Sequence, residues 1–238
     1  MKEAKQLVVS EVFGPTFQGE GPTAGRRCAF VRLGRCNLDC AWCDTPYTWD
    51  WKGANGTAYD PAVELSTCTV EQVLDQLEPM RVDRVVVSGG EPLLQATALL
   101  ELVEQAAWEY EMVVEVETNG TRHPGPLLDK VRWNVSPKLA HSGVPRHRRV
   151  VPEVLRAFAH HPGAAYKVVV QGPEDLPEVD SLMAEADAAP AQVWVMPEGR
   201  DAATVLERAR ALAPGVLARG WNLSLRHQVL LYGDERGK

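Results

Sequence analysis

Short runs of β-branched and aromatic residues alternate along the chain with stretches whose apolar residues recur every three or four positions. The first pattern predicts strands, and the second predicts helices with one buried face. Because helical stretches separate the strands, we expect a mostly parallel sheet with crossover helices. The predicted strands span residues 28–33, 84–88, 112–117, 132–136, 166–170, 193–196 and 222–225.

Three helices have recognisable beginnings or faces. Thr69, with Gln72 three residues later, matches a capping box before an apolar face. Residues 99–110 carry one apolar stripe, and an amphipathic stretch, 202–212, follows Asp201. Residues from about 44 to 66 are expected to form a long excursion with little regular structure, and loops of that length are usually functional or mobile.

The length of 238 residues predicts one domain, spanning residues 1–238. The predicted parallel strands are too few for a closed eight-stranded barrel. We therefore expect an α/β fold, a single-domain, partly open TIM-like barrel with its site at the carboxyl ends of the strands.

Charge and hydropathy exclude several functional classes. The net charge of −7 disfavours a direct nucleic-acid partner, which requires a basic face. No apolar run approaches the roughly 20 residues of a membrane helix, and the first residues lack a signal peptide's apolar stretch. A cytoplasmic protein with no membrane partner is expected. The basic cluster at 146–149 is interpreted as a solvated loop.

The residues that follow several predicted strands are chemically unusual. The carboxyl ends of parallel strands meet at one face, where α/β proteins build their sites. Five loops should therefore converge. They contain Cys36, Gly89-Gly90-Glu91-Pro92, Glu117-Thr118-Asn119-Gly120, Ser136-Pro137-Lys138 and Arg226-His227.

Three cysteines, Cys36, Cys40 and Cys43, lie within eight residues. A disulfide would leave one of them unpaired, and a structural zinc site would need a fourth ligand that is not found nearby. A 4Fe–4S cluster held by three cysteines leaves one iron open for another ligand. The loop at 36–43 therefore predicts an iron–sulfur centre, whereas Cys28 and Cys68 are interpreted as small buried hydrophobes.

The spacing C-x3-C-x2-C, with Trp42 before the last cysteine, resembles the radical S-adenosylmethionine superfamily. The GGEP sequence at 89–92 is similar to the glycine-rich segment of that superfamily, which receives the methionine amino group. Glycine there would let the backbone approach a ligand closely.

Further motifs resemble one family of this superfamily, the 7-carboxy-7-deazaguanine synthases. The resemblance extends from about residue 11 to residue 238, with the motifs in the family's order. They are FQGEG at 17–21, FVRL at 30–33, CDT at 43–45, ETNG at 117–120, SPK at 136–138 and RH…LYG at 226–233.

The resemblance implies an enzyme, a radical carbon–nitrogen lyase. It would convert 6-carboxy-5,6,7,8-tetrahydropterin into 7-carboxy-7-deazaguanine with release of ammonia, toward queuosine and other 7-deazapurines. The implied cofactors are a 4Fe–4S cluster, S-adenosylmethionine and Mg²⁺, with the 5′-deoxyadenosyl radical removing hydrogen from C6 of the pterin. A flavodoxin-type or reductase electron donor and a homodimer are also implied.

The resemblance assigns roles residue by residue. Cys36, Cys40 and Cys43 would hold the cluster, and the Thr45 hydroxyl would bind Mg²⁺. The residues implied to contact S-adenosylmethionine are Trp42, Cys43, Asp44, Gly90, Glu117, Ser136, Pro137 and Lys138. Those implied to contact the pterin are Phe17, Gln18, Gly19, Glu20, Arg32, Ser88 and His227.

The residues alone leave plainer alternatives open. Arg32 could face solvent from its strand, His227 could be a structural hydrogen-bonding residue, and Thr45 could cap a turn. Residues 18–21 could form a turn, and 136–137 could simply end a strand.

The sequence also departs from the family pattern in one motif. Ser88 stands where the family commonly has threonine, although the hydroxyl is kept. Whether the last residues, 233–238, enter the site is left open by the sequence.

Two other functions share the cysteine loop. A glycyl-radical-enzyme activase would act on a protein backbone, and Gln18, Arg32 and His227 would have no role in it. A non-catalytic iron–sulfur electron-transfer protein would not need the segments at 89–92 and 136–138.

Overall fold

One twisted sheet of nine strands organises the chain. The computed structural model describes residues 5–238, and its strand order is β3-β1-β2-β4-β5-β6-β7-β8-β9. Seven strands, β2 and β4 to β9, run parallel to one another. Strand β1 pairs in the antiparallel direction with both β2 and β3. The strands are β1 Gln6–Phe17, β2 Arg27–Leu33, β3 Ser66–Thr69, β4 Arg84–Gly89, β5 Val113–Thr118, β6 Arg132–Val135, β7 Ala164–Val170, β8 Val193–Pro197 and β9 Asn222–Leu223.

All seven predicted strands are confirmed, as β2 and β4 to β9, with ends shifted by at most two residues. The sequence analysis missed β1 and β3, the two antiparallel strands. The pairing of β1 with β2 shifts register twice, between Val9 and Glu11 and between Phe13 and Thr16. These irregularities interrupt the two-residue alternation by which a strand is recognised.

The helices cover the outer face of the sheet. Thr69 forms the predicted capping box with Gln72, and the Asp201 side chain caps the helix after β8. The helix after β8 continues to Ala218, beyond the predicted end at residue 212. The helices are α1 Pro61–Glu64, α2 Val70–Leu77, α3 Ala96–Glu109, α4 Arg146–Arg149, α5 Pro152–Ala159, α6 Leu176–Ala186, α7 Ala202–Ala218 and α8 His227–Tyr232.

The sheet is an open barrel, as expected. Within residues 5–238, β3 and β9 each pair with one neighbour only, so the sheet does not close on itself. No helix in this range is both long and apolar enough to span a membrane. Residues 1–4 of the predicted domain lie outside the described residues.

Alternation along the strands separates an apolar outer layer from a polar interior. Residues such as Val31, Val87 and Val116 point outward into the core beneath the helices. Their neighbours point inward, because successive side chains of a strand face opposite sides. The inward residues include Arg32, Ser88, Glu115, Glu117, Asn134 and Lys167.

The excursion at 44–66 has little regular structure, as predicted. It contains one short 3₁₀ turn, Pro46–Thr48, and the single turn of α1 before β3 begins. The buried Asp50 carboxylate accepts hydrogen bonds from the backbone N–H groups of Ala54 (2.9 Å) and Asn55 (2.8 Å). The excursion is thus fixed by its own hydrogen bonds.

The interpretation of residues 146–149 as a solvated loop is correct in that residues 146–148 are exposed, but wrong for the conformation and for Arg149. These residues form α4, and the Arg149 side chain is buried. Its guanidinium donates to the carbonyl oxygens of Val144 (3.1 Å) and Lys138 (2.7 Å) and pairs with Glu178 (2.9 Å). A buried arginine is tolerated here because carbonyls and a carboxylate surround it.

Candidate active site

The five predicted loops converge on one pocket at the carboxyl ends of the strands. The pocket has a volume of about 510 Å³, within the size range of small-molecule sites. Cys36, Gly90, Glu117, Lys138 and Arg226 line it, one from each loop. The pocket reaches from the cysteine loop into the polar interior of the barrel.

The three cysteines of the 36–43 loop all line this pocket. The backbone N–H of Leu38 donates to Cys36 Sγ at 3.4 Å, and the Trp49 indole N–H donates to Cys43 Sγ at 3.3 Å. Burial raises the pKa of the Cys36 thiol to about 12 and also raises that of Cys40. A metal centre bound here would have to displace the thiol protons.

The excursion is attached directly to the cysteine loop. The Asn55 side-chain amide donates to Cys40 O at 3.0 Å, and the Arg35 backbone N–H donates to Thr48 O at 2.7 Å. Both loops therefore form one side of the pocket.

The glycines at 89 and 90 have a packing role in addition to the predicted one. Gly89 has a φ of +132°, which L side chains rarely adopt, and a Cβ on Gly90 would lie 1.9 Å from Arg35 O. The Gly90 N–H donates to Leu33 O (3.0 Å) and the Glu91 N–H to Arg35 O (2.9 Å). Glycine lets this segment pack directly against the start of the cysteine loop.

Glu91 fastens that segment to the end of β5. Its carboxylate is fully buried and accepts hydrogen bonds from Leu93 N (2.9 Å), Thr118 Oγ1 (2.8 Å) and Asn119 N (2.7 Å). Burial raises the pKa of Glu91 despite these donors. The GGEP segment is therefore a structural joint as well as a wall of the pocket.

Lys138 and Trp42 lie together at the edge of the pocket. The Lys138 ammonium donates to Ser136 O and Oγ, both at 2.8 Å, and lies 5.6 Å from the centroid of the Trp42 ring, within cation–π range. The Trp42 indole N–H is buried without a hydrogen-bond partner among the described residues. Ser136, Lys138 and Trp42 line the pocket, but Pro137 does not.

Arg32 points into the barrel rather than toward solvent. Its Nε donates to Glu11 (2.6 Å), and its Nη1 reaches Ser88 Oγ at 3.4 Å. Burial alone would raise the pKa of Glu11, but the Arg32 charge and the Tyr47 hydroxyl outweigh burial and leave it lowered. Arg32 and Ser88 thus present polar groups side by side in the pocket.

An aromatic wall flanks Arg32. The rings of Phe13 and Phe30 stack with centroids 5.1 Å apart and planes within 4°. The Arg32 guanidinium lies 5.5 Å from the centroid of Phe13. Phe17 lines the same pocket and is 44% exposed. Flat apolar faces beside a cation suit a planar anionic ligand.

Thr45 lines the pocket next to the cysteine loop. Its hydroxyl makes no capping hydrogen bond to the turn that follows. Thr45 Oγ1 instead lies 3.8 Å from Cys43 Sγ, within hydrogen-bond distance of a sulfur. The capping alternative is therefore not supported for the side chain.

A network of charges around two buried cations, Lys167 and Arg226, closes the interior. Lys167 Nζ lies 2.5 Å from Glu20 Oε2 and 3.1 Å from Glu117 Oε1. Arg226 bridges Glu20 (3.2 Å) and Asp44 (2.5 Å). Burial alone would raise the pKa of Glu20, but the charges of Lys167 and Arg226 hold that pKa well below its usual range.

The pKa of the Lys167 ammonium shifts in the opposite direction to that of Glu20. Burial alone would lower the pKa of Lys167, but the carboxylates of Glu117 and Glu20 outweigh it and raise the pKa.

Gln18 and Gly19 contact members and neighbours of this charge network. Gln18 is buried, and its amide N–H₂ donates to Glu115 (2.8 Å) and Glu117 (3.3 Å). A Cβ on Gly19 would lie 1.8 Å from Gln228 Oε1, so a larger residue would displace the Gln228 side chain. Both residues line the pocket.

His227 does not line the pocket, in contrast to the expectation. Its backbone N–H donates to Gly19 O at 2.9 Å, and its ring lies next to Gly25. The residues on either side, Arg226 and Gln228, line the pocket instead. His227 opens α8, where neighbouring side chains diverge by about 100°, so a shift of one residue decides which side chain faces inward.

The last residues form part of the pocket wall. Arg236 stacks on Tyr47, 3.8 Å from its ring centroid, and pairs with Glu64 (2.8 Å) and Glu11 (3.2 Å). The question that the sequence left open is thereby answered, since residues 233–238 line the pocket.

Several lining residues were missed by the sequence analysis. They are Phe13, Phe30, Tyr47, Trp49, Lys167 and Gln228. One signal was available for Lys167, because it is the one charged residue within the otherwise apolar strand at 164–170. A lysine is almost never buried unless it is paired.

Comparisons with known proteins agree with this geometry. A family model described as a 4Fe-4S single cluster domain matches residues 17–124. The chain is 32% identical to the 7-carboxy-7-deazaguanine synthase of Pyrobaculum aerophilum over 100% of both chains. It is 33% identical to that of Halobacterium salinarum, over 96% of this chain and 91% of the relative. The chain belongs to the 7-carboxy-7-deazaguanine synthase family.

A solved structure supports the same assignment. The crystal structure of QueE from Escherichia coli matches with a TM-score of 0.73 and 26% identity, covering 93% of this chain and 94% of that chain. The likeness confirms the open β/α barrel for this member of the 7-carboxy-7-deazaguanine synthase family.

The cysteine loop of this family member fits a 4Fe–4S cluster. Among residues 5–238, no three His, Cys, Asp or Glu side chains are arranged to hold a single metal ion. In a four-iron cluster each cysteine binds a different iron, so its thiols need not converge on one point. Cys36, Cys40 and Cys43 share one short loop, face one pocket and lie inside the matched cluster domain.

The ionised form of Glu20 should stabilise the fold. Glu20→Gln should lower the free energy of unfolding by about 3 kcal/mol at pH 7, because Lys167 and Arg226 lose their shared partner. Since the pKa of Glu20 is lowered in the folded protein, its contribution is full above the unfolded pKa of about 4.3 and declines as the pH falls below it. Denaturant unfolding at pH 7, 5 and 3 measures this.

The matched control is Glu207→Gln, because Glu207 is exposed in the interior of α7. The control should unfold like the parent protein at each pH. A gap between parent and Glu20→Gln that stays constant from pH 7 to pH 3 would contradict the role of the ionised carboxylate.

Proposed function

We propose that this chain catalyses the ring contraction of 6-carboxy-5,6,7,8-tetrahydropterin to 7-carboxy-7-deazaguanine, with release of ammonia. The observation that carries the proposal is that one pocket joins the three-cysteine loop to Arg32 and the aromatic wall. Full-length similarity to named 7-carboxy-7-deazaguanine synthases supports the same reaction. The enzyme would thus be a radical S-adenosylmethionine lyase.

The cofactors would occupy the half of the pocket that the cysteine loop lines, called here the outer half. When bound at Cys36, Cys40 and Cys43, the cluster supplies the electron that initiates radical chemistry on S-adenosylmethionine. Gly90, Ser136 and Lys138 would face the S-adenosylmethionine from the neighbouring loops.

Two further residues of the outer half contribute polar or aromatic groups. The partnerless indole N–H of Trp42 is available for a hydrogen bond to that ligand. Asp44 faces the same cavity but is already paired with Arg226, so we assign it to holding the loop in place.

The substrate would occupy the half of the pocket that Arg32 and the aromatic wall line, called here the inner half. The free edge of the Arg32 guanidinium suits the pterin carboxylate, since guanidinium and carboxylate match in a two-pronged geometry. Ser88 would add a hydroxyl contact. Phe13, Phe17 and Phe30 would cover a face of the flat ring system.

The opposite edge of the pterin carries N–H groups, which would donate hydrogen bonds to the Glu117 carboxylate. Glu117 is held by Lys167 and Gln18 with its carboxylate at the pocket surface. Gln228 also lines the pocket, with its amide N–H₂ donating to Glu20 Oε1 at 2.6 Å. Because Gln228 lines the pocket and His227 does not, we assign to Gln228 the substrate role that the resemblance gave to His227.

The protein would contribute by orientation and by exclusion of water. Holding the substrate beside the cofactor is a proximity effect that lowers barriers by several kcal/mol. The 233–238 segment would cover the inner half, anchored through Arg236 on Tyr47. Excluding water protects reactive species from side reactions.

The activity is tested by anaerobic incubation of reconstituted protein with a reductant, S-adenosylmethionine and 6-carboxy-5,6,7,8-tetrahydropterin. We expect a new deazapurine absorbance and ammonia, with little net loss of S-adenosylmethionine. Cys43→Ala should abolish product formation, because it removes a cluster ligand. Cys68→Ala, which lies outside the loop on β3, is the matched control and should retain activity.

Two outcomes would contradict the proposal. Stoichiometric consumption of S-adenosylmethionine without the deazapurine would indicate another radical enzyme, such as a glycyl-radical-enzyme activase. Reversible reduction of the cluster with neither product nor S-adenosylmethionine cleavage would indicate an electron-transfer protein.

Thr45 would bind Mg²⁺ beside the substrate carboxylate, because a hydroxyl is a hard oxygen ligand and the Thr45 side chain faces the pocket. Thr45→Ala should raise the Mg²⁺ concentration for half-maximal activity about tenfold. Iron and sulfide content should not change. Titration of Mg²⁺ against the rate measures this, with the exposed Thr57→Ala as the control in the same excursion. Equal responses of Thr45→Ala and the parent would remove Thr45 as a ligand.

A further inference from the structure

One cysteine of the loop receives a side-chain hydrogen bond from outside the loop. The indole Nε1 of Trp49 lies 3.3 Å from Cys43 Sγ. The indole N–H is a donor only, so the sulfur is the acceptor. Cys36 Sγ accepts instead from the backbone N–H of Leu38, which side-chain substitution would not remove.

The position of Trp49 is fixed by the excursion. Its backbone N–H donates to Pro46 O at 3.0 Å, and the buried Thr48 hydroxyl donates to Thr45 O at 2.8 Å. Directly afterwards, the buried Asp50 carboxylate holds the following turn through two backbone N–H groups. The indole is therefore presented to the sulfur by a locally rigid segment.

A donor at a cysteine sulfur affects the two oxidation states of an iron–sulfur cluster unequally. The reduced cluster carries one more negative charge, and that charge is shared with its thiolate sulfurs. An N–H directed at a sulfur stabilises the reduced state more than the oxidised state and makes reduction easier. Burial around the site strengthens the effect, because solvent screens it less.

We infer that Trp49 is a positioning residue that makes the cluster easier to reduce, through its N–H···S hydrogen bond to Cys43. This inference rests on the proposed function, because it requires a cluster at the three cysteines. It gives the excursion a role in electron acceptance as well as in shaping the pocket.

Trp49→Phe tests the inference, since it removes the N–H and keeps an aromatic ring. The reconstituted parent and variant are poised anaerobically against the same viologen dyes, and the reduced cluster is counted by electron paramagnetic resonance. The ratio of reduced to oxidised cluster in the variant should fall roughly threefold to tenfold at a given potential. Trp51→Phe, two residues away, is the matched control and should keep the parent ratio.

A second substitution guards against a packing artefact. Replacing Trp49 by 3-benzothienylalanine keeps the shape of the indole but has sulfur in place of the N–H, and it should cause the same fall. An unchanged ratio in both Trp49 variants would overturn the inference, as would an equal fall in Trp51→Phe. A parent protein that binds no iron and sulfide would instead overturn the proposed function itself.

Discussion

The pairing of charges inside the barrel is the interaction on which the site depends. Lys167 lies between Glu20 and Glu117, and Arg226 joins Glu20 to Asp44. Each of these groups would be costly to bury alone, and removing one partner leaves the other uncompensated. Together they connect β7, the end of β5, the start of the excursion and the chain before α8. The cofactor half and the substrate half of the pocket are therefore held as one unit.

The same constraint explains how the pocket divides its chemistry. Acidic groups that face the interior are engaged by cations or amides, so that their positions are fixed before a ligand enters. Arg32 is held by Glu11 through Nε, and its side chain lines the cavity. On the cofactor side, Trp49 and Asn55 of the excursion contact Cys43 and Cys40. The excursion thus belongs to the metal-binding wall rather than to a separate surface loop.

Local sequence patterns predicted much of this structure. The parallel strands were recognisable because their apolar runs are unbroken, and the site because its unusual residues follow strand ends. The register shifts of β1 were not recognisable, and neither was the burial of Arg149, which depends on how the backbone at 138–144 folds and on the pairing with Glu178 from α6. His227 and Gln228 show the limit most clearly. A motif can be placed within one residue, but only the start of α8 determines which side chain faces inward.

The central claim is that the cysteine loop and the Arg32 pocket form one site. The most direct measurement is electron paramagnetic resonance of the reduced, S-adenosylmethionine-bound protein, with and without 6-carboxypterin as an unreactive substrate analogue. The analogue should alter the cluster signal in the parent protein. In Arg32→Met the response to S-adenosylmethionine should remain and the response to the analogue should be lost. A parent signal that is unaffected by the analogue, or an Arg32→Met protein that still responds to it, would contradict the account.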